Sequence, residues 1–88
     1  MSEKKFSLEI ITPHRMVYQG EVVSLTAPGS LGSLGILANH APIITSLVPG
    51  RMTYRDAAGR VTILHSTGRG FLEVNHNKAV LLADEVTE

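Results

Sequence analysis

The chain is 88 residues and 9.5 kDa, with eight Lys/Arg balancing eight Asp/Glu, and it is read as one domain spanning 1–88. A chain of this mass buries about 63% of its unfolded surface, enough for one modest core. Zero net charge, two Phe, two Tyr and no Trp argue against a nucleic-acid partner, and the lack of cysteine excludes disulfides, Cys-ligated zinc and iron–sulfur clusters.

Along the chain, Lys4 and Lys5 precede an apolar segment too short and too polar for a signal-peptide core. The longest apolar run, 79–83, falls far below the roughly 20 residues of a membrane helix. A soluble, cytosolic-type chain is expected, and its small size makes a partner surface worth looking for. Phe6, Leu8 and Ile10 then alternate as one face of a first strand. Residues 16–19 are expected as a short strand, and Val23, Leu25 and Ala27 as one face of the next. Further strands are predicted at 34–37, 43–48, 51–55, 60–65, 71–75 and 79–83, separated by the four prolines and eight glycines. Turn signals every 8–12 residues define an all-β chain, a sandwich of two packed antiparallel sheets. A closing helix over 78–88 competes for the last segment, but Val80, Leu81 and Leu82 in succession make no helical stripe.

One hairpin can be read in detail. A four-residue loop, Asp56-Ala57-Ala58-Gly59 with Gly59 at positive φ, sets Tyr54 opposite Val61, Met52 opposite Ile63 and Thr53 opposite Thr62. Arg55 then faces Arg60, with Asp56 offsetting the repulsion. Ile10-Ile11, Val22-Val23, Ile43-Ile44 and Leu81-Leu82 each pair apolar residues of opposite parity. One member of each pair must leave the interior, either covered by loops and edges or forming a docking face for another subunit.

Motifs of chemistry are missing. The segment from Gly29 to Gly35 has neither dinucleotide nor P-loop spacing and is read as a surface turn. Ser30 and Ser33 lack the Gly-x-Ser-x-Gly context. His14, His40, His65 and His76 show no ligand spacing; only a fold that brought His65 and His76 together would suggest zinc. His40, before Ala41-Pro42, reads as a turn or interface residue.

An ordered set of segments then carries a family resemblance: Thr12-Pro13-x-Arg15-x-Val17-Tyr18-x-Gly20-Glu21-Val22, Ala27-Pro28-Gly29-Ser30-x-Gly32-x-Leu34-Gly35-Ile36-Leu37-x-x-His40-Ala41-Pro42, Pro49-Gly50, Gly70-Phe71-Leu72-Glu73-Val74 and Val80-Leu81-Leu82-Ala83-Asp84. From about Phe6 to Asp84, the chain closely resembles the ε subunit of the rotary proton-translocating ATP synthase. The resemblance implies a ten-stranded β-sandwich in the central stalk, a non-catalytic rotor part that joins the γ subunit to the membrane c-ring and supports coupling of proton flow to ATP synthesis. It implies no cofactor, no catalytic residue, no metal and no insertion into the membrane. The expected location is the cytoplasmic side of the bacterial inner membrane, peripheral within the complex. It places Thr12, His40, Ala41, Pro42, Ile43, Ile44 and Thr45 at the γ interface, and Leu31, Gly32 and Ser33 at the c-ring.

Departures from the family pattern qualify these placements. Leu31 or Ser33 stands where the family usually has an acidic residue, so packing or backbone contact would replace a charged c-ring contact. Ala38-Asn39 replaces Pro-Gly, with Asn39 able to hold a similar turn at positive φ. Arg69 interrupts a Gly-Gly before Phe71. Typical members continue into a two-helix C-terminal domain that restrains hydrolysis and in some binds ATP. The sequence in hand reaches Glu88 just after the sandwich, as a naturally short member or an excised domain would, and no ATP binding is expected of it. The rival readings are a free-standing β-sandwich protein-binding module and, requiring converged histidines, a small hydrolase or metalloenzyme.

Overall fold

The computed structural model describes residues 3–88, and these form ten strands joined by turns and loops. The strands are β1 (Phe6–Ile11), β2 (Met16–Val22), β3 (Ser24–Gly29), β4 (Gly32–Leu37), β5 (Ile43–Leu47), β6 (Gly50–Arg55), β7 (Val61–Ser66), β8 (Gly70–Asn75), β9 (Lys78–Ala83) and β10 (Val86–Thr87). They follow one hydrogen-bonded path, β10-β7-β6-β3-β5-β8-β9-β1-β2, with β4 paired to β3. The path folds over on itself, so the two layers of the sandwich are β10-β7-β6-β3-β4 and β5-β8-β9-β1-β2. Their junction is narrow: Gly29 pairs with Leu47, flanked by Ser30 N–H to the Ser46 carbonyl at 3.3 Å and Val48 N–H to the Pro28 carbonyl at 2.9 Å. Elsewhere the chain crosses directly from β2 into β3, where Val23 N–H donates to the Arg55 carbonyl at 2.8 Å.

One pairing departs from the antiparallel expectation. β1 runs parallel to β9, from Ser7 opposite Lys78 to Ile11 opposite Leu82. A parallel pair cannot be closed by a hairpin; here most of the chain forms the connection. Both strands bury one face in a common core, with Leu8, Ile10, Ala79 and Leu81 inaccessible to solvent. The two layers share that core: Leu25, Ile36, Met52 and Leu64 from one meet Leu8, Ile10, Leu72 and Leu81 from the other. Tyr18 on β2 and Tyr54 on β6 close one side, their ring centroids 4.3 Å apart and tilted by 35°.

The 52–63 hairpin register is corrected by one residue. Met52 lies opposite Leu64, Tyr54 opposite Thr62, Thr53 opposite Ile63 and Arg55 opposite Val61. Asp56 causes the difference. Its N–H donates to the Arg60 carbonyl at 3.0 Å and its carbonyl accepts from Gly59 N–H at 3.0 Å. Its Oδ1 takes both Ala58 and Arg60 N–H groups at 3.0 Å. Three residues, 57–59, therefore make the connection, with Gly59 at φ +88° as in a type I turn completed by a left-handed residue. Leu64 goes into the core, while Val61 and Ile63 face out. The alternation of Val61 and Ile63 selects the register that pairs them with Tyr54 and Met52, and the structure overturns that choice by burying Leu64.

Smaller differences have local causes. β2 extends to Val22 because the Gly20-Glu21 segment stays paired with Leu8 and Ser7. β4 starts at Gly32 because Gly29 and Gly32 pair around a two-residue turn. The final segment holds β9 and then β10, with Val86 opposite Ser66 in place of a closing helix.

Candidate docking face

Strand alternation sends every second residue of β5, β8, β9 and β1 away from the core, and the observed register lines these residues up in rows. One row runs Ser46, Phe71, Leu82, Ile11, Met16 from β5 to β2. Its apolar members are only partly covered: Phe71 is 56% exposed, Leu82 46% and Met16 46%, with Ile11 half-buried. The next row is Ile44, Glu73, Val80, Glu9, Gln19, with Ile44 74% exposed. The patch is contiguous, which sequence could not show. Of the four apolar pairs, Ile11, Ile44 and Leu82 are the outward members, whereas Val22 and Val23 are both buried.

Two shallow depressions flank Phe71. One, of about 350 Å³, is lined by Ile11, Thr12, Pro13, Leu82 and Asp84 among others, and the second, of about 560 Å³, by Ser46, Val48, Pro49 and Arg69 among others. Gly70 makes the surface between them possible, because a Cβ there would collide with the Leu82 carbonyl oxygen. Charge borders the band on both sides, with Arg69 and Asp84 at the depressions and, in the second row, Glu9, which accepts from Lys78 Nζ at 3.3 Å and from Gln19 Nε2 at 3.3 Å. The face is an apolar band with a polar margin.

The residues singled out from sequence separate into three places. Thr12 is 8% exposed, and its hydroxyl is occupied locally. Oγ1 accepts from the His14 and Arg15 N–H groups at 3.3 and 3.2 Å and donates to the Arg15 carbonyl at 3.3 Å, fixing the β1–β2 turn. Leu31, Gly32 and Ser33 are exposed at the tip of the β3–β4 hairpin, Leu31 fully so. His40, Ala41 and Pro42 lie at the other end of β4, in the loop leading to β5. Of the β5 residues, Ile43 packs partly on the core, Thr45 is half-buried on the inner side, and Ile44 faces out. The hairpin tip and the His40 loop are thus separated by the length of β4, about 17 Å at the usual strand rise.

Reading the sequence missed Phe71 and Met16 as members of this band, and Asn77 as an organiser of the loop beside it. Asn77 follows His76 in a two-residue turn with both residues at positive φ, 51° and 58°. Asn39 is also at positive φ, 63°, as its Asn-for-Gly replacement required. No group of three or more His, Asp or Glu side chains converges among the described residues, and His65 and His76 lie on different layers.

Fold and face together define a small all-β domain that carries an exposed apolar band on one layer. Residues 5–88 match the family model described as the ATP synthase, Delta/Epsilon chain, beta-sandwich domain, and the chain belongs to this family. It is 48% identical over 84 residues to the ATP synthase epsilon chain of Pelotomaculum thermopropionicum, covering 96% of this chain and 61% of that protein. The Dichelobacter nodosus epsilon chain is 41% identical over 80 residues, covering 91% and 55%. The Chlorobaculum tepidum epsilon chain is 37% identical over 86 residues, covering 98% and 97%. The chain therefore spans little more than half of some relatives and nearly all of another. The fold is shared with a chain of the Euglena gracilis mitochondrial ATP synthase, at TM-score 0.88, 21% identity, 94% of this chain and 52% of that one. It is also shared with a chain of the Tetrahymena thermophila central stalk/c-ring assembly, at TM-score 0.80, 18% identity, 100% of this chain and 69% of that one.

Proposed function

We propose that the chain is a non-catalytic rotor part of an ATP synthase, docking on γ and touching the c-ring so that proton flow stays coupled to ATP synthesis. It would act peripherally, on the cytoplasmic side of a bacterial inner membrane. The observation that carries this reading is the apolar row Phe71, Leu82, Ile11 and Met16 on a domain of the epsilon family. A monomeric domain of this size gains nothing from leaving these side chains in contact with water. Seating them against γ would remove that cost, and the His40–Thr45 segment borders the same sheet. The Leu31 tip, projecting from the other layer, is then free to meet the c-ring through packing instead of a carboxylate.

The experiment is a binding measurement with purified γ. Phe71→Asp and Leu82→Asp should each cost about 2 kcal/mol or more of affinity, as desolvated centres of interfaces do. Ile63→Asp, an equally exposed change on the opposite layer, should leave binding unchanged. Equal effects at all three positions, or none at Phe71 and Leu82 with the fold intact, would exclude this face.

A further inference from the structure

The loop between β4 and β5 is held by a side chain distant in sequence. Asn39 N–H donates to Asn77 Oδ1 at 2.7 Å, while Asn77 Nδ2 donates to the Lys5 carbonyl at 2.9 Å. The backbone of the same residue joins in, its carbonyl accepting from Ser7 N–H at 3.2 Å. One carboxamide thus ties three segments together: the loop preceding β5, the β8–β9 turn and the entry to β1. Both linked asparagines sit in left-handed backbone, and no other hydrogen bond found among the described residues joins 38–42 to a strand outside β4. Within the loop, His40 N–H returns to the Leu37 carbonyl at 3.2 Å, and the His40 ring approaches its neighbour's carbonyl. Beyond the packing of Ala38 on the core and the pairing of Ile43 in β5, the Asn39–Asn77 bond is what ties the His40–Pro42 segment to the rest of the described fold.

We propose that Asn77 is a positioning residue for docking. Its Oδ1 fixes the 38–42 loop in the pose that meets γ, so that the loop's ordering is complete before contact. This inference rests on the docking reading above. A loop already ordered loses less conformational freedom on association, and the gain appears as affinity. The two halves of the carboxamide have different tasks: Oδ1 serves the loop, and Nδ2 serves the β1 entry.

Two substitutions separate these tasks. Asn77→Gly keeps the left-handed backbone and removes both bonds. Asn77→Asp keeps the acceptor for Asn39 and loses the donor to Lys5. Amide exchange and γ binding are measured on the 88-residue chain. With Asn77→Gly, exchange at Asn39 should rise at least about tenfold while the β8 and β9 core amides stay protected, and γ affinity should fall about tenfold. With Asn77→Asp, Asn39 should stay protected and most of the affinity should remain, even though Tm drops from the lost Lys5 bond. Equal affinity losses in both variants would reduce Asn77 to a general stabiliser and overturn the proposal. So would an unchanged Asn39 amide in Asn77→Gly, or a loosened loop with undiminished binding. If the unsubstituted chain ignores γ, the docking reading itself fails and takes the docking role of Asn77 with it, while the exchange data still decide whether Asn77 holds the loop.

Discussion

At the level of single residues, backbone geometry and titration give the sharpest expectations. His76 holds a left-handed φ of 51° in an exposed turn with no side-chain partner found. That conformation is costly for most side chains and easier for Asn. His76→Asn should therefore raise stability by about 0.5–1 kcal/mol, read from urea unfolding; a loss of stability would mean that the imidazole makes a contribution of its own. Glu3 and Arg55 form two hydrogen bonds, at 2.6 and 2.7 Å. These bonds hold the Glu3 carboxyl below its ordinary 4.5, opposed by desolvation and helped by the guanidinium charge. A lowered folded pKa means stability that is present above the unfolded value and lost as pH falls through the folded one. Glu3→Gln should flatten that part of the acid limb, and an identical limb in the variant would discount the pair. Tyr18 behaves oppositely: burial first, then Tyr54 and Asp56, push its hydroxyl above the ordinary 10.0. Above that pH the unfolded chain ionises first, so the stability intact below it declines as pH rises. Tyr18→Phe should lose less stability than the unsubstituted chain between neutral and strongly alkaline pH.

Among the elements, the β6–β7 hairpin shows what the sequence could and could not reveal. Alternation in β6 was legible, because Met52 and Tyr54 are the apolar members and both are buried. In β7, the alternation of Val61 and Ile63 selects the register that pairs them with Tyr54 and Met52, but the buried member is Leu64, so periodicity picks the wrong register. The choice belongs to the side chain of Asp56, which shortens the connection to 57–59. Asp56→Ala removes two hydrogen bonds to turn amides and should cost about 1–2 kcal/mol. It should also broaden the NMR signals of β7 if the neighbouring register becomes populated; sharp signals and full stability would assign the register to Leu64 burial alone. The candidate face was legible only in fragments. Ile11, Ile44 and Leu82 were marked by parity, but the alignment of Ile11 with Leu82 depends on the parallel β1–β9 pair, a contact between strands far apart in sequence that no local pattern encodes. Strand β10 was invisible for a different reason: two residues are too few to show a period.

For the whole molecule, the expectation is a stiff body that works by contact. Among the described residues, Gly29 to Gly35 spans the β3–β4 hairpin, whose turn is Ser30-Leu31, a geometry without the helix N-terminus that commonly receives phosphate. Titration of the 88-residue chain with millimolar ATP, followed by amide shifts, should give only small and unsaturated changes; a saturable, localised set would reveal a nucleotide site among the strands. The parallel pairing of β1 with β9 has a different kind of consequence, in time instead of space. Ser7 waits for Lys78, so β1 acquires its inner neighbour only after β2 to β8 have been made. On a ribosome adding about 5–20 residues per second, β1 and β2 would spend several seconds as an unshielded hairpin. The apolar members of the outer band are exposed throughout that interval, along with the apolar residues meant for the core. Chains halted before Lys78 should accordingly be recovered bound to chaperones or as aggregates, whereas those released after Val86 should fold on their own.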